Sequence, residues 1–257
     1  MTLSLFDLTG KVAVITGSSR GIGRAMAETF AEAGCKVVIS GRNLEPCQEV
    51  VGAIKAKGGE ATAITCRISD KGQCENLIAK TQEAFGPVDI LVCNAAINPH
   101  HGPIDGLSDE AFERMMTNNV QSNFWLSKLV KPGMVGRKGG SIIYIISVAA
   151  LHASLELPMY GITKLADYAL ARNLAAAWGP DGIRVNCIAP GLVETQFARV
   201  LYEDPERRAR REAATPLRRL GQPVDIAGPA LLLASSAGAF ITGQILTVDG
   251  GTTIQAR

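Results

Sequence analysis

Charge is scarce in this 257-residue chain. Only 19% of its residues are charged, 26 basic against 24 acidic, for a formal net charge of +2. So even a balance excludes a nucleic-acid surface built on phosphate neutralisation, and 47% apolar residues exclude intrinsic disorder. Histidine is scarcer still. His100, His101 and His152 are the only three, and the His100–His101 pair has no third ligand at useful spacing, so no metal site is expected. None of the six cysteines (Cys35, Cys47, Cys66, Cys74, Cys93, Cys187) stands in CxxC spacing, and several fall inside apolar runs. They read as buried free thiols in a reducing compartment, and the expected location is cytoplasmic. No apolar stretch reaches the roughly 18 residues that span a bilayer, so no membrane partner is expected. The opening "MTLSLFDLTGKVAVITG" has no basic start and no long apolar core, because Asp7 and Lys11 interrupt it, so it does not read as a signal peptide. There is no dividing Pro/Gly/Ser linker, repeat or low-complexity tract. One domain over residues 1–257 is the simpler expectation.

What the chain does have is alternation. Short apolar runs predict strands at Val12–Thr16, Lys36–Ser40, Ala61–Cys66, Ile90–Cys93, Ser141–Ile146, Arg184–Ile188 and Ile245–Val248. "KVAVIT" and "SIIYIIS" are nearly continuous in apolar residues, as parallel strands covered on both faces should be. Helical patterns lie between them at Gly21–Ala33, Leu44–Lys57, Lys71–Phe85, Asp109–Val135, Met159–Trp178 and Val224–Ser235. In the first, Ile22, Met26 and Phe30 recur every four residues as one apolar stripe. The predicted fold is α/β: a doubly wound, Rossmann-type parallel sheet of about seven strands with helices on both faces. The least regular stretch, Gly191–Gln222, holds seven arginines and follows a strand end, where open α/β sheets bind ligands. It reads either as a partly helical substrate flap or as a solvated surface helix.

In "TGSSRGIG" (Thr16–Gly23) the glycines Gly17, Gly21 and Gly23 follow a strand and open a helix. Glycine lets a backbone approach a ligand closely, and the unpaired N–H groups of a helix N-terminus suit a pyrophosphate. An ordinary tight turn is the competing reading. The next strand ends in Ser40-Gly41-Arg42-Asn43, with no carboxylate. A carboxylate there would take the adenosine ribose hydroxyls and repel a 2′-phosphate. Arg42, with Arg20 in the glycine loop, points instead to NADP(H), since a guanidinium offers a forked, permanent positive charge. The alternative is two arginines facing solvent. Further on, Tyr160 and Lys164 are four apart on one helical face, and Ser147 lies thirteen residues before Tyr160. A free tyrosine titrates near pH 10, and a nearby lysine cation is expected to lower that value. Serine supplies a neutral hydrogen bond to a substrate oxygen. A lone YxxxK is common; the upstream serine and the dinucleotide pattern are what point it to catalysis.

These segments, with "CNAA" (Cys93–Ala96), Asn119, "PGLVET" (Pro190–Thr195) and "ITGQILTVDGG" (Ile241–Gly251), resemble the short-chain dehydrogenase/reductase family in order along nearly the whole chain. "NAAINP" and "RRLGQPVDIAG" look closest to its NADPH-dependent carbonyl reductases of the dehydrogenase/reductase member 4 type. The resemblance implies a catalytic set of Ser147, Tyr160, Lys164 and Asn119, the asparagine in a proton relay with Asn118 as its competitor. It implies a cofactor set of Gly17, Ser19, Arg20, Gly21, Ile22, Gly23, Arg42, Asn43, Ile68 (through its backbone), Asn94, Tyr160, Lys164, Pro190, Gly191, Val193 and Thr195. Asn94 would steady the central sheet, Thr195 would touch the nicotinamide amide or phosphates, and Lys164 would reach the nicotinamide ribose. Ser147, His100, His152, Met159, Leu192 and Phe197 would meet substrate. For His100 a loop-surface role is favoured over substrate contact, and for His152 capping its loop is the alternative.

Two departures stand out: Arg67 where the family usually has an aspartate for adenine, and Ala96 for a glycine. The expected activity is reduction of a ketone or aldehyde by NADP(H), reversibly, on a small molecule with hydrophobic bulk. A 3-oxoacyl-thioester reductase, a sugar or polyol dehydrogenase and a non-enzymatic dinucleotide sensor are the alternatives. The turn Gly179-Pro180-Asp181-Gly182 lacks the basic residues that grip a carrier protein. Long apolar-striped helices and the C-terminal "ITGQILTVDGGTTI" imply a homotetramer or a homodimer.

Overall fold

In the computed structural model, which describes residues 2–254, all seven expected strands form and join one sheet. They are β1 (Val12–Thr16), β2 (Lys36–Gly41), β3 (Ala61–Thr65), β4 (Ile90–Cys93), β5 (Gly140–Ile145), β6 (Ile183–Pro190) and β7 (Ile245–Val248). The order is β3-β2-β1-β4-β5-β6-β7, and every neighbouring pair is parallel. The outer ends of the expected domain, Met1 and Gln255–Arg257, lie outside the described residues.

The helices are α1 (Gly21–Glu32), α2 (Leu44–Ala56), α3 (Lys71–Phe85), α4 (Asp109–Met116), α5 (Ser122–Gly136), α6 (Pro158–Trp178), α7 (Pro205–Ala213) and α8 (Pro223–Ala234). Side chains alternate across the strands and so build two cores. Ala13, Ile15, Ile39 and Ile143 pack with α1, α2 and α8 on one face. Val14, Val38, Leu91 and Tyr144 pack with α3, α5 and α6 on the other. All six cysteines are free and buried.

One expectation needs correction. Asp109–Val135 is not a single helix: α4 and α5 are separated by a π-helical turn, Thr117–Gln121. The hydrophobic period runs on through the turn, so spacing alone hides the wider winding. The arginine-rich stretch contains α7 and a short 3-10 turn at Arg199–Leu201. Among the described residues no helix is long and apolar enough to cross a membrane, and no cluster of three potential metal ligands occurs.

Candidate active site

β1 pairs with both β2 and β4, so the chain winds outward in opposite directions on either side of β1. A crevice opens there at the C-terminal strand ends, the usual ligand position in such sheets. The glycine turn occupies it. Gly17 has φ +65°, the left-handed region that favours glycine. A Cβ on Gly23 would overlap the Gly17 carbonyl oxygen, so α1 can pack this close to the turn only without a side chain there. Ser18 Oγ donates to the Ile15 carbonyl (2.6 Å) and accepts from Ser40 N (2.9 Å), joining the turn to β2. Asn94 Nδ2 donates to the carbonyls of Thr16 (2.9 Å) and Gly17 (3.2 Å), joining it to β4. Thr16 Oγ1 in turn accepts from Asn94 N (3.0 Å) and Ala95 N (3.1 Å). Asn94 therefore ties the two strand ends on either side of the crevice.

No side chain caps α1 at Arg20, which leaves its first N–H groups available to an anion. Ser19 lies against Gly41, where a Cβ would come within 3.3 Å of Ser19 Oγ. The turn thus meets the end of β2 just before Arg42 and Asn43, both exposed. Arg42 has no side-chain partner among the described residues. Arg20 instead hydrogen-bonds Gln196. Arg67 is exposed, and its backbone N–H donates to Gln73 (2.8 Å), while Ile68 packs against the core. These features fit a dinucleotide: a glycine cradle, an uncapped helix end and an unpaired guanidinium beside the ribose position.

The residues expected to be catalytic come from the end of β5, from α6 and from the π turn. Ser147 follows β5, and its Oγ accepts from Ala149 N (3.1 Å) to start a short 3-10 turn. Tyr160 stands in the first turn of α6, which Pro158 opens. A Cβ on Gly161 would lie 2.5 Å from the Ala149 carbonyl oxygen, so α6 can press against the Ser147 turn only with glycine at 161. That approach sets the first turn of α6, which carries Tyr160, against the short turn that Ser147 starts. Asn119 belongs to the π turn and is fully buried. Its side chain accepts from Ile97 N (2.9 Å) and donates to Ile97 O (2.9 Å) and Thr163 Oγ1 (3.1 Å). The Asn118 side chain donates only to the Arg114 carbonyl one turn back, so Asn119 is the asparagine within the cluster.

Lys164 is 1% exposed. Its Nζ donates to the Ile145 carbonyl (2.9 Å) and to Asp167 Oδ2 (3.4 Å), and lies 5.7 Å from the Tyr160 ring centre. Burial pushes the Tyr160 phenol above its ordinary value; Lys164 pulls it down and Asp167 pushes it up. The net direction is upward, against the lowering expected from the lysine alone. Burial works against the Lys164 ammonium, but Asp167 and then Tyr160 hold its pKa above the ordinary lysine value.

The flap converges on the same place. Gly191 follows Pro190 at the end of β6, and Val193 is buried. A Cβ on Gly21 would meet the Thr195 methyl at 3.3 Å, so Thr195 lies over the glycine turn. Phe197 stacks at a tilt on Tyr160, ring centres 6.0 Å apart, and Leu192 is half-buried nearby in sequence. The flap arginines are mostly engaged: Arg208 with Glu194 (2.5 Å) and Glu212 (2.9 Å), Arg211 with Glu156 (2.9 Å) on the loop after β5. Met159, expected to face substrate, is 1% exposed and offers it no surface. His100 Nε2 sits 2.9 Å from the Pro103 carbonyl and His152 Nδ1 3.1 Å from that of Ala153, so both brace their own loops. Asp167, Asn123 and Thr163 were not singled out from the sequence. The available signal for Asp167 was its standing as the one acidic residue of α6, three positions after Lys164.

Comparison with known proteins places the chain among relatives of the same fold. A family described as "Enoyl-(Acyl carrier protein) reductase" matches residues 17–253. The chain is 38% identical over 245 residues to the dehydrogenase/reductase SDR family member 4 of Sus scrofa, covering 95% of this chain and 88% of that one. It superposes on a gluconate 5-dehydrogenase from Burkholderia cenocepacia in complex with NADP and tartrate, with a TM-score of 0.94, 34% identity and full coverage of both chains. A 7α-hydroxysteroid dehydrogenase complexed with NADH and 7-oxo glycochenodeoxycholic acid gives a TM-score of 0.93 at 41% identity, covering 96% of each chain. The fold and these relatives define an oxidoreductase of the doubly wound α/β class. The chain belongs to the short-chain dehydrogenase/reductase family.

Proposed function

We propose that this oxidoreductase is an NADP(H)-dependent carbonyl reductase acting on a ketone or aldehyde with apolar bulk. The observation that supports this reading is the packing of α6, which carries Tyr160 and Lys164, against the turn that Ser147 starts, with Lys164 Nζ 5.7 Å and the Phe197 ring 6.0 Å from the Tyr160 ring centre. The choice of NADP(H) rests on the absence of a carboxylate at Gly41–Asn43 and on the unpaired Arg42. When bound, the dinucleotide supplies the hydride. Ser147 Oγ donates a hydrogen bond to the substrate carbonyl oxygen, holding it beside Tyr160. Tyr160 gives that oxygen its proton. A phenol raised by burial stays protonated at neutral pH, which suits donation and so the reductive direction. Asn119 fixes the loop after β4 to α6 through Ile97 and Thr163, and with Lys164 returns a proton to Tyr160. Residues 191–222 serve as a flap that keeps water from the reacting carbonyl, within one domain.

Tyr160→Phe tests the reading. Loss of a positioned general acid should lower kcat about 10²–10⁴-fold. Binding of NADPH, measured by protein fluorescence, should persist. A variant that binds NADPH and turns over at the parent rate would rule out Tyr160 as the proton donor.

A further inference from the structure

The reductase reading leaves Asp167 without a part, and the inference below rests on that reading. Asp167 is fully buried, and its neighbours Lys164 and Asn123 are 1% and 2% exposed. A buried charge persists only when it is paired and hydrogen-bonded. Both carboxylate oxygens are engaged. Oδ2 accepts from Lys164 Nζ (3.4 Å), and Oδ1 accepts from Asn123 Nδ2 (2.9 Å). The same Asn123 amide donates to the Asn119 carbonyl (2.7 Å), so the carboxylate is tethered through α5 to the π turn. An ammonium has three N–H donors. Ile145 O and Asp167 take two from Lys164, and one remains.

The other ionisable groups that act on or feel Asp167 are Tyr160 on α6, Cys93 on β4, Tyr144 on β5 and Cys187 on β6. Burial holds each of them toward its neutral, protonated form. Lys164 is thus the cation set against this carboxylate.

We propose that Asp167 is a positioning residue for the reaction: its carboxylate holds the Lys164 ammonium against the Ile145 carbonyl, charged and with its remaining N–H free for the ribose and Tyr160 side of the site. Without that carboxylate, the buried ammonium has a neutral carbonyl as its one remaining partner. It then loses either its proton or its place. Burial raises the Asp167 carboxyl to about 6, against the pull of Lys164 and the Asn123 hydrogen bond. The counter-charge is therefore present above about pH 6 and lost below it.

Two readouts test this. In the protein without substrate, infrared difference spectra recorded as the pH is stepped follow the carboxylic acid C=O stretch. The band missing from Asp167→Asn identifies Asp167. It should titrate near pH 6 in the parent and move up by about one pH unit or more in Lys164→Met, which removes the stabilising cation. A midpoint indifferent to Lys164 overturns the proposal, whatever the activity. In turnover with NADPH, Asp167→Asn should lower kcat about tenfold with KM for the carbonyl nearly unchanged, and should abolish the inflection near pH 6. Asp167→Glu should restore part of both. An Asp167→Asn pH profile that superposes on the parent overturns the proposal, as does full activity of Asp167→Leu, which keeps bulk without charge. Circular dichroism melts separate these results from misfolding, and Asp167→Glu keeps the test open should Asp167→Asn fail to fold. If the parent reduces no carbonyl with either dinucleotide, the reductase reading fails, while the infrared titration still decides the pairing.

Discussion

Tyr160 is governed by three influences: two charged residues on its own helix and the burial around it. Lys164 favours its ionised form, whereas Asp167 and the surrounding burial favour the phenol. Reading the chain alone exposes the first of these, since YxxxK spacing is visible. It hides the other two, because burial is a property of the assembled core and Asp167 sits among alanines and leucines that read as one apolar pattern. Met159 shows the same limit: next to Tyr160 in sequence, it turns into the interior. Asn119 was legible only with Asn118 as a rival, and the bonds to Ile97 and Thr163 separate the two. At Gly23, by contrast, the strand-turn-helix context marked a glycine, and the turn has no room for a methyl group beside Gly17 O. Gly23→Ala should cost about 1–3 kcal/mol of stability through overpacking. It should also weaken dinucleotide binding, with thermal melts and a fluorescence titration measuring the two effects. An unshifted melt would show that the turn has slack the close approach denies.

Among the elements, strands were the most legible. Runs such as Val12–Thr16 and Lys36–Ser40 are apolar at successive positions because helices cover both faces of the sheet. The break between α4 and α5 was not legible. Its effect is local: the π turn carries Asn119 into contact with both the loop after β4 and α6, and such turns recur at functional sites. The stretch 191–222 could be read from position only as a flap or as a solvated surface helix, and in the structure most of its arginines are paired within the protein. Arg211 and Glu156 join α7 to the loop after β5 at 2.9 Å, across two exposed side chains. Such pairs contribute little to stability. Glu156→Ala should leave the melting temperature nearly unchanged while raising KM for the carbonyl, because the flap is no longer fastened beside the substrate end. An unchanged KM would separate this ion pair from substrate capture.

For the whole molecule, the reversal of strand order at β1 sets the crevice, and everything proposed for the site lies at its rim. The outer faces of the helices have their own pattern. Phe124 on α5 and Ile162 and Leu165 on α6 are exposed apolar side chains at 39%, 44% and 51%, and Val224 and Phe240 are exposed on and after α8. We propose that the chain self-associates, as a homotetramer or homodimer, through these surfaces. Leu165→Glu should shift the mass measured by light scattering to a smaller assembly; an unchanged mass would move the contact elsewhere.

The central claim, an NADP(H)-dependent reductase, is tested most directly by titrating the purified protein with NADPH and NADH in parallel. The quenching of Trp125 and Trp178 fluorescence reports binding. The account predicts at least about tenfold tighter binding of NADPH, roughly 1.4 kcal/mol. Equal affinities, or a preference for NADH, would contradict the assignment of Arg42 and Arg20 to a 2′-phosphate and with it the choice of cofactor.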